Sequence, residues 1–255
     1  MSNPVHEAAR DPGKVVLEGL HAVKHAIRFG AVLEGLWSDA PADVLEQARE
    51  LAPDIVPALS RRLETVSSET FATLVARPPA TRLIGVAARP EHATSATAAA
   101  TTSNGPIVLL DRPRHPGNLG AVIRVGAAAE AAAVWSLGGV DPWSASVLRG
   151  AAGLHFALPV LAIDAMPASD RPRIALDDEG EPLETADLPG NAILLFGSER
   201  TGLAAELRAA ADRTIAIPMR PGISSLYLAT AVAVVLYTLR LRTLRNTGQP
   251  APRST

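Results

Sequence analysis

Three turns in the sequence carry residues whose types and spacing suit ligand binding and the stabilisation of charge. The first lies within Leu109 to Glu130, LLDRPRHPGNLGAVIRVGAAAE. An apolar run ends there in Asp111, the chain turns through Pro113, Pro116 and Gly117, and a helical pattern begins near Asn118. Asn118 is placed to cap that helix, whose open backbone N–H groups suit an anion. Arg124 follows six residues later, close to two helical turns, so both side chains are expected to face one cleft. A capped helix with a surface arginine fits this segment equally well. In the second turn, Ala192 to Leu203 (AILLFGSERTGL), a buried strand runs into Gly197, Ser198 and Glu199, with Gly202 beyond. Glycines after a strand let backbone approach a ligand, and Glu199 then stands at the mouth of a parallel sheet. Taken alone, a strand-to-helix turn with a capping acid is the simpler reading. In the third, Thr214 to Arg240, a strand ends at Pro218, a loop crosses Gly222, and Ser224 and Ser225 open a long apolar helix. Serine is a good N-cap. A helix this apolar needs deep cover, from its own domain or from a second subunit.

These turns need a scaffold, and the apolar pattern supplies one. From Ile107 onward, strands are expected at Ile107 to Leu110, Ala132 to Leu137, Val160 to Ile163, Arg173 to Leu176, Ala192 to Phe196 and Thr214 to Ile217. A helix at Leu203 to Ala211 and the final helix, from about Ser224 to Arg245, complete the set. Strands separated by helices imply a mostly parallel sheet. Residues 15–89 read as a separate small α/β unit, with helical spacing at Ala22, Val23, Ala26 and Ile27 and short apolar runs at Val32 to Trp37, Ile55 to Leu59 and Leu83 to Ala88. Residues 90–105, rich in Ala, Ser and Thr, read as a linker, 106–245 as the second domain, and 246–255 as a loose tail.

Composition narrows the chemistry. Of 255 residues none is cysteine, which excludes disulfides, thiolate metal sites and cysteine nucleophiles. His115 and His155 lack partners at metal-ligand spacing, so no metal is expected. A net charge of −2 offers no bulk field for a polyanion, and any nucleic-acid surface must be a local patch. The N-terminus has no signal-peptide core and the Leu226 to Leu239 run is too short to span a bilayer, so a soluble cytoplasmic protein is expected. A nicotinamide dehydrogenase is disfavoured, because no GxGxxG follows a strand, and a P-loop nucleotidase fails for want of GxxxxGK[ST].

Order and spacing of the three turns are more telling than any one of them. PGNLGAVIR (Pro116 to Arg124), FGSERTGL (Phe196 to Leu203) and IPMRPGISSLY (Ile217 to Tyr227) resemble the three motifs of the SpoU/TrmH branch of the SPOUT RNA methyltransferases. LEGLHAVKHAI, Leu17 to Ile27, looks like the start of the ribosomal-protein-L30e-like RNA-binding domain that often precedes that catalytic domain. The resemblance implies an α/β chain in two parts: a small L30e-like domain and a SPOUT domain with a C-terminal trefoil knot. It further implies S-adenosylmethionine as cofactor, a homodimer paired through helices near the site, and 2′-O-ribose methylation of RNA. The L30e-like unit tilts the target toward rRNA rather than tRNA.

Carried over by motif position, Gly197, Ile217, Met219 and Leu226 are implied to line the cofactor pocket, and Asn118, Arg124, Glu199 and Ser225 to be the polar active-site residues. Tyr227 stands where the family usually has Asn, and either takes over a positioning role or weakens the site. The resemblance therefore also admits an RNA-binding homologue that has lost catalysis. Arg124 suits electrostatic activation of a ribose hydroxyl better than base catalysis, because a guanidinium with a pKa above ~12 is a poor proton acceptor. Arg61, Arg62, Arg77 and Arg82 form a possible RNA patch or simply a solvated face, and Arg149 is expected to contact RNA or phosphate. Trp135 and Trp143 are expected to pack.

Overall fold

The computed structural model describes residues 3–90, 104–198, 201–223 and 225–247. It divides into two compact units, residues 1–91 with 143–157, and residues 92–142 with 158–255.

The first unit is built on a four-stranded sheet of β1 (Lys14–Glu18), β2 (Leu33–Ser38), β3 (Leu63–Thr65) and β4 (Ile84–Ala88), in the order β1-β4-β2-β3. β4 runs antiparallel to both neighbours, and β2 pairs with β3 in parallel. The helix Leu20–Arg28 turns Leu20, Ala22, Val23 and Ala26 inward, as its apolar spacing predicts. The apolar run at Ile55 to Leu59 is no strand. Pro53–Ile55 forms a 3-10 turn and Val56–Arg62 a helix, since a proline early in each segment sets a helical φ where the missing N–H costs nothing.

This unit extends beyond its expected limits at both ends of the reading. A short helix, Pro4–Ala8, is capped by the Asn3 side chain and buries Val5 and Ala8 against Phe71, Leu74, Ile84 and Val86. Five residues show no periodicity to detect. Residues 143–157 also belong here rather than to the second unit. Trp143 stacks against His155, ring centroids 4.9 Å apart, and the Arg89 guanidinium lies 5.1 Å from its ring. Gly153 rests on the backbone of Ala22, where a Cβ would fall 2.7 Å from the carbonyl oxygen. Arg149, expected on phosphate, instead pairs with Glu18 at 2.9 Å. Arg82 is likewise used internally. Its guanidinium grips the buried Asp39 carboxylate, holding that carboxyl below the usual range, and lies 4.7 Å from the Phe71 ring centroid.

The second unit is a six-stranded sheet in the order β10-β8-β9-β5-β6-β7. Its strands are β5 (Ile107–Asp111), β6 (Ala133–Leu137), β7 (Val160–Ile163), β8 (Arg173–Pro182), β9 (Ile193–Phe196) and β10 (Arg213–Ala216). Every pairing is parallel. The central strands β5 and β9 are buried along their whole length, as expected for a sheet covered on both faces. Trp135 is fully buried in the core with Ile107, Leu109, Leu161, Ile193 and Leu195. The helix Leu228–Thr247 packs on the helix Pro116–Ala128 and buries Leu228, Val232, Val235, Leu236 and Leu239. An ion pair between Arg240 and Glu130 links the same region. No described helix is long and apolar enough to cross a membrane.

β8 is longer than its apolar run predicts, and it is interrupted. Its pairing with β10 passes from Ala175↔Thr214 to Glu181↔Ile215, so five residues, Leu176 to Gly180, are extruded as a bulge. Gly180 closes that bulge against β10, because a Cβ there would sit 2.5–2.7 Å from the Ile215 backbone. Gly180→Ala is therefore expected to destabilise the protein by about 1–3 kcal/mol and to lower its thermal midpoint by several degrees. Gly190→Ala, where a Cβ meets nothing within 4 Å, should leave the midpoint unchanged; equal midpoints for the two variants would refute this account of the bulge.

Candidate active site

The parallel strands of the second unit all end on one side, and a cavity of about 870 Å³ opens at the ends of β9 and β10 and the bulge of β8. That volume lies within the roughly 300–1,000 Å³ usual for small-molecule clefts. The turn after β9 supplies Gly197, Ser198, Gly202 and Leu203. Ile215, Ile217 and Met219 come from the exit of β10, and Ser225, Leu226 and Tyr227 from the approach to the last helix. Leu176, Asp177 and Asp178 complete the wall from the bulge.

The turn after β9 is held by backbone on backbone. Ser198 and Gly202 each donate an N–H to the other's carbonyl at 3.0 Å, and the Ser198 and Thr201 hydroxyls lie 2.7 Å apart. A Cβ on Gly197 would fall 2.1–2.2 Å from backbone atoms of Gly202 and Leu203, so only glycine fits. Gly202 adopts φ +66°, which glycine occupies without penalty.

Asp111 fastens the end of β5 to this turn. Its carboxylate, 2% exposed, accepts the Ala204 N–H at 2.8 Å and the Arg112 Nε–H at 2.9 Å. The carboxylate in turn pushes the Arg112 pKa above its ordinary value. Sequence reading took Asp111 only as the end of a strand, yet it is the bond that sets the first turn against the second.

The four residues expected at the cofactor, Gly197, Ile217, Met219 and Leu226, lie together on the cavity wall, with Ser225 and Tyr227 beside them. Asn118 and Arg124 are not among the lining residues. Asn118 is not a cap: the helix begins at Pro116, His115 occupies the cap position without a side-chain bond, and Asn118 is half-buried in the first turn. Nor do Asn118 and Arg124 share a face. At about 100° per residue, six positions set the side chains about 120° apart. Arg124 is exposed. Glu199 and Ser224 lie outside the described residues. The last helix begins at Leu228 rather than at the serines. The Tyr227 carbonyl accepts the N–H groups of Thr230 and Ala231 at 2.9 and 3.0 Å, while Ser225 is exposed ahead of the helix.

The residues that sequence reading missed are the acids of the bulge. Asp177 pairs with Arg208 at 2.6 Å, and Asp178 is exposed at the cavity. Gly180 was the available signal, since a glycine in a strand-like run marks a bulge or a close backbone approach.

A parallel α/β sheet with a glycine-walled cleft at its C-terminal edge defines a small-molecule-binding domain of enzyme type. The chain belongs to the SpoU rRNA Methylase family, whose model matches residues 105–237. It is 27% identical to a Synechocystis protein named an uncharacterized tRNA/rRNA methyltransferase, covering 91% of this chain and 85% of that one. It is also 27% identical to the 23S rRNA (uridine(2479)-2′-O)-methyltransferase of Streptomyces viridochromogenes, over 88% and 82% of the two chains. Among solved structures, an AdoMet-bound rRNA methyltransferase from Sinorhizobium meliloti superposes with a TM-score of 0.72 at 26% identity, covering 94% of this chain and 95% of that one.

Removing the Asp111 carboxylate strands a backbone N–H at the cleft. Asp111→Ala should lower stability by about 1–3 kcal/mol and speed amide exchange at Ala204. Arg112→Ala leaves the carboxylate in place and should leave that exchange rate unchanged. Unaltered exchange at Ala204 in Asp111→Ala would show that the bond does not hold the turn.

Proposed function

We propose that this protein is an S-adenosylmethionine-dependent RNA methyltransferase that methylates a ribose 2′-hydroxyl of ribosomal RNA in the cytoplasm. The observation that carries the reading is the cavity itself, walled by residues of the second and third family motifs at the C-terminal edge of a parallel sheet. Its wall fits the cofactor. Ile215, Ile217, Met219 and Leu226 offer apolar surface for a flat base, and Gly197 lets the Gly202 and Leu203 backbone close in beside it to form the wall. When bound, S-adenosylmethionine supplies a methyl carbon made electrophilic by its sulfonium.

The chain's own residues supply alignment and charge. A ribose hydroxyl is a weak acid, so its oxygen must gain negative charge as the O–C bond forms and its proton passes to solvent. Arg124, an exposed and permanently charged guanidinium, stabilises that charge and the neighbouring phosphate. Asn118, Glu199 and Ser225 hold the loops and the nucleotide. Tyr227 presents its ring on the cavity rim, 79% exposed, where it stands ready to stack on a base.

The finer reading is of a first unit, 15–89, as an L30e-like RNA-binding domain, a trefoil knot in 106–245, and a homodimer. Val234, Tyr237 and Leu241 support the dimer, being apolar side chains exposed along one stripe of the last helix. Tyr237→Arg with Leu241→Arg should therefore yield monomers in sedimentation experiments, and a wild-type protein already monomeric at micromolar concentration would contradict the pairing. For the reaction, transfer of tritiated methyl from S-adenosylmethionine to ribosomal RNA is expected, with Arg124→Ala reducing the rate by 10²-fold or more, roughly what loss of one charge-stabilising group costs. Label that fails to reach RNA with the wild-type protein would refute the proposed activity.

A further inference from the structure

The extruded segment of β8 places a carboxylate on the cavity for which neither the sheet nor the family motifs give a reason. On the reading that this cavity holds S-adenosylmethionine, we infer that Asp178 is a specificity-determining residue, its carboxylate accepting hydrogen bonds from the vicinal ribose hydroxyls of the adenosine moiety.

Placement comes first. Both flanks of the bulge are fixed, by Ala175 on Thr214 and by Glu181 on Ile215, and Gly180 lies flat against the Ile215 backbone. Between these anchors the chain leaves the ladder, and Leu176, Asp177 and Asp178 stand on the cavity wall. Charge comes next. Asp177 and Asp178 are the only formally charged residues among those described on that wall. Asp177 is neutralised by Arg208 at 2.6 Å and its side chain is only 12% exposed. Asp178 is exposed and forms no ion pair with another described residue. An ionised carboxylate is an acceptor only, so the ligand group that meets Asp178 must donate.

The neighbours then select the donor. Leu176, Ile215, Ile217 and Met219 form an apolar stretch suited to the base. Asp178 lies two residues past Leu176, at most about 7 Å of extended chain, which is the offset from a purine to the hydroxyl edge of its own sugar. A vicinal diol presents two O–H groups to the two carboxylate oxygens. The same pairing explains why an acid near the end of a strand marks the ribose in other open α/β sheets. The ammonium of the amino-acid arm is the competing donor, and ligands that lack a ribose hydroxyl but keep the ammonium separate the two.

Calorimetric titration of the full chain with S-adenosylhomocysteine and its 2′-deoxy and 3′-deoxy counterparts tests the assignment. Asp178→Ala should weaken S-adenosylhomocysteine by about tenfold or more, the range for a hydrogen bond to a charged group. Each deoxy ligand, already weaker on the wild-type protein, keeps one of the two hydroxyls, so Asp178→Ala should weaken it further but by a smaller factor than it weakens S-adenosylhomocysteine, because one of the two bonds is already gone. Glu179→Gln removes a neighbouring charge without touching the wall and should bind all three as the wild type does. An unchanged thermal midpoint for Asp178→Ala would confirm that the losses are local. The inference is overturned if Asp178→Ala weakens all three ligands by one common factor, which points to the ammonium, or if it leaves S-adenosylhomocysteine binding intact. A wild-type protein that binds none of the three removes the cofactor reading itself, a result distinct from wild-type binding to which Asp178 is indifferent.

Discussion

The second unit depends on a place where two stretches of backbone touch with nothing between them. Gly197 lies so close to Gly202 and Leu203 that a single methyl group would collide with main-chain atoms at 2.1–2.2 Å. That contact folds the turn after β9 back on itself, and the paired Ser198 and Gly202 bonds lock it. A second such contact, Gly180 on Ile215, anchors the bulge of β8, whose Leu176, Asp177 and Asp178 also line the cavity.

Charge is distributed in keeping with a polyanionic substrate despite a net charge of −2. The segment leading into the helix Pro116–Ala128 exposes Arg112, Arg114 and His115, and the helix itself exposes Arg124. Acids elsewhere balance the total, among them Asp177 and Asp178 on the cavity wall. A cationic sulfonium donor favours negative charge in its own pocket, and an RNA backbone favours positive charge outside it. Local sign, not the sum, is what each ligand meets. In the first unit Arg82 and Arg149 are bound to Asp39 and Glu18, as Arg112 is to Asp111 in the second, so part of the basic surface of both is structural.

The parallel sheet was legible because its strands are buried on both faces and written as unbroken apolar runs, Ile107 to Leu110 and Ile193 to Phe196 being the clearest. The cavity wall was legible because Gly197, Ile217, Met219 and Leu226 stand at motif spacing. What escaped was of two kinds. Long-range bonds such as Asp111 to Ala204 join residues 93 positions apart, and no local pattern reports them. Conformational details also escaped. Whether Asn118 caps a helix or rides inside its first turn depends on Pro116, which starts the helix earlier. Ile55 to Leu59 showed an apolar run too short to separate helix from strand, and Pro53 and Pro57 decided it. Residues 143–157 fall between two strands of the second sheet in sequence but pack with the first unit, through tertiary contacts that include Trp143, Arg149 and Gly153.

A crystal structure of the protein grown with S-adenosylhomocysteine tests the central claim most directly. The account predicts ligand density between the Leu176–Gly180 bulge and the Gly197–Leu203 turn, with the base on Ile215 and Ile217. Ligand density elsewhere, with that cleft holding only solvent at saturating ligand, would contradict it.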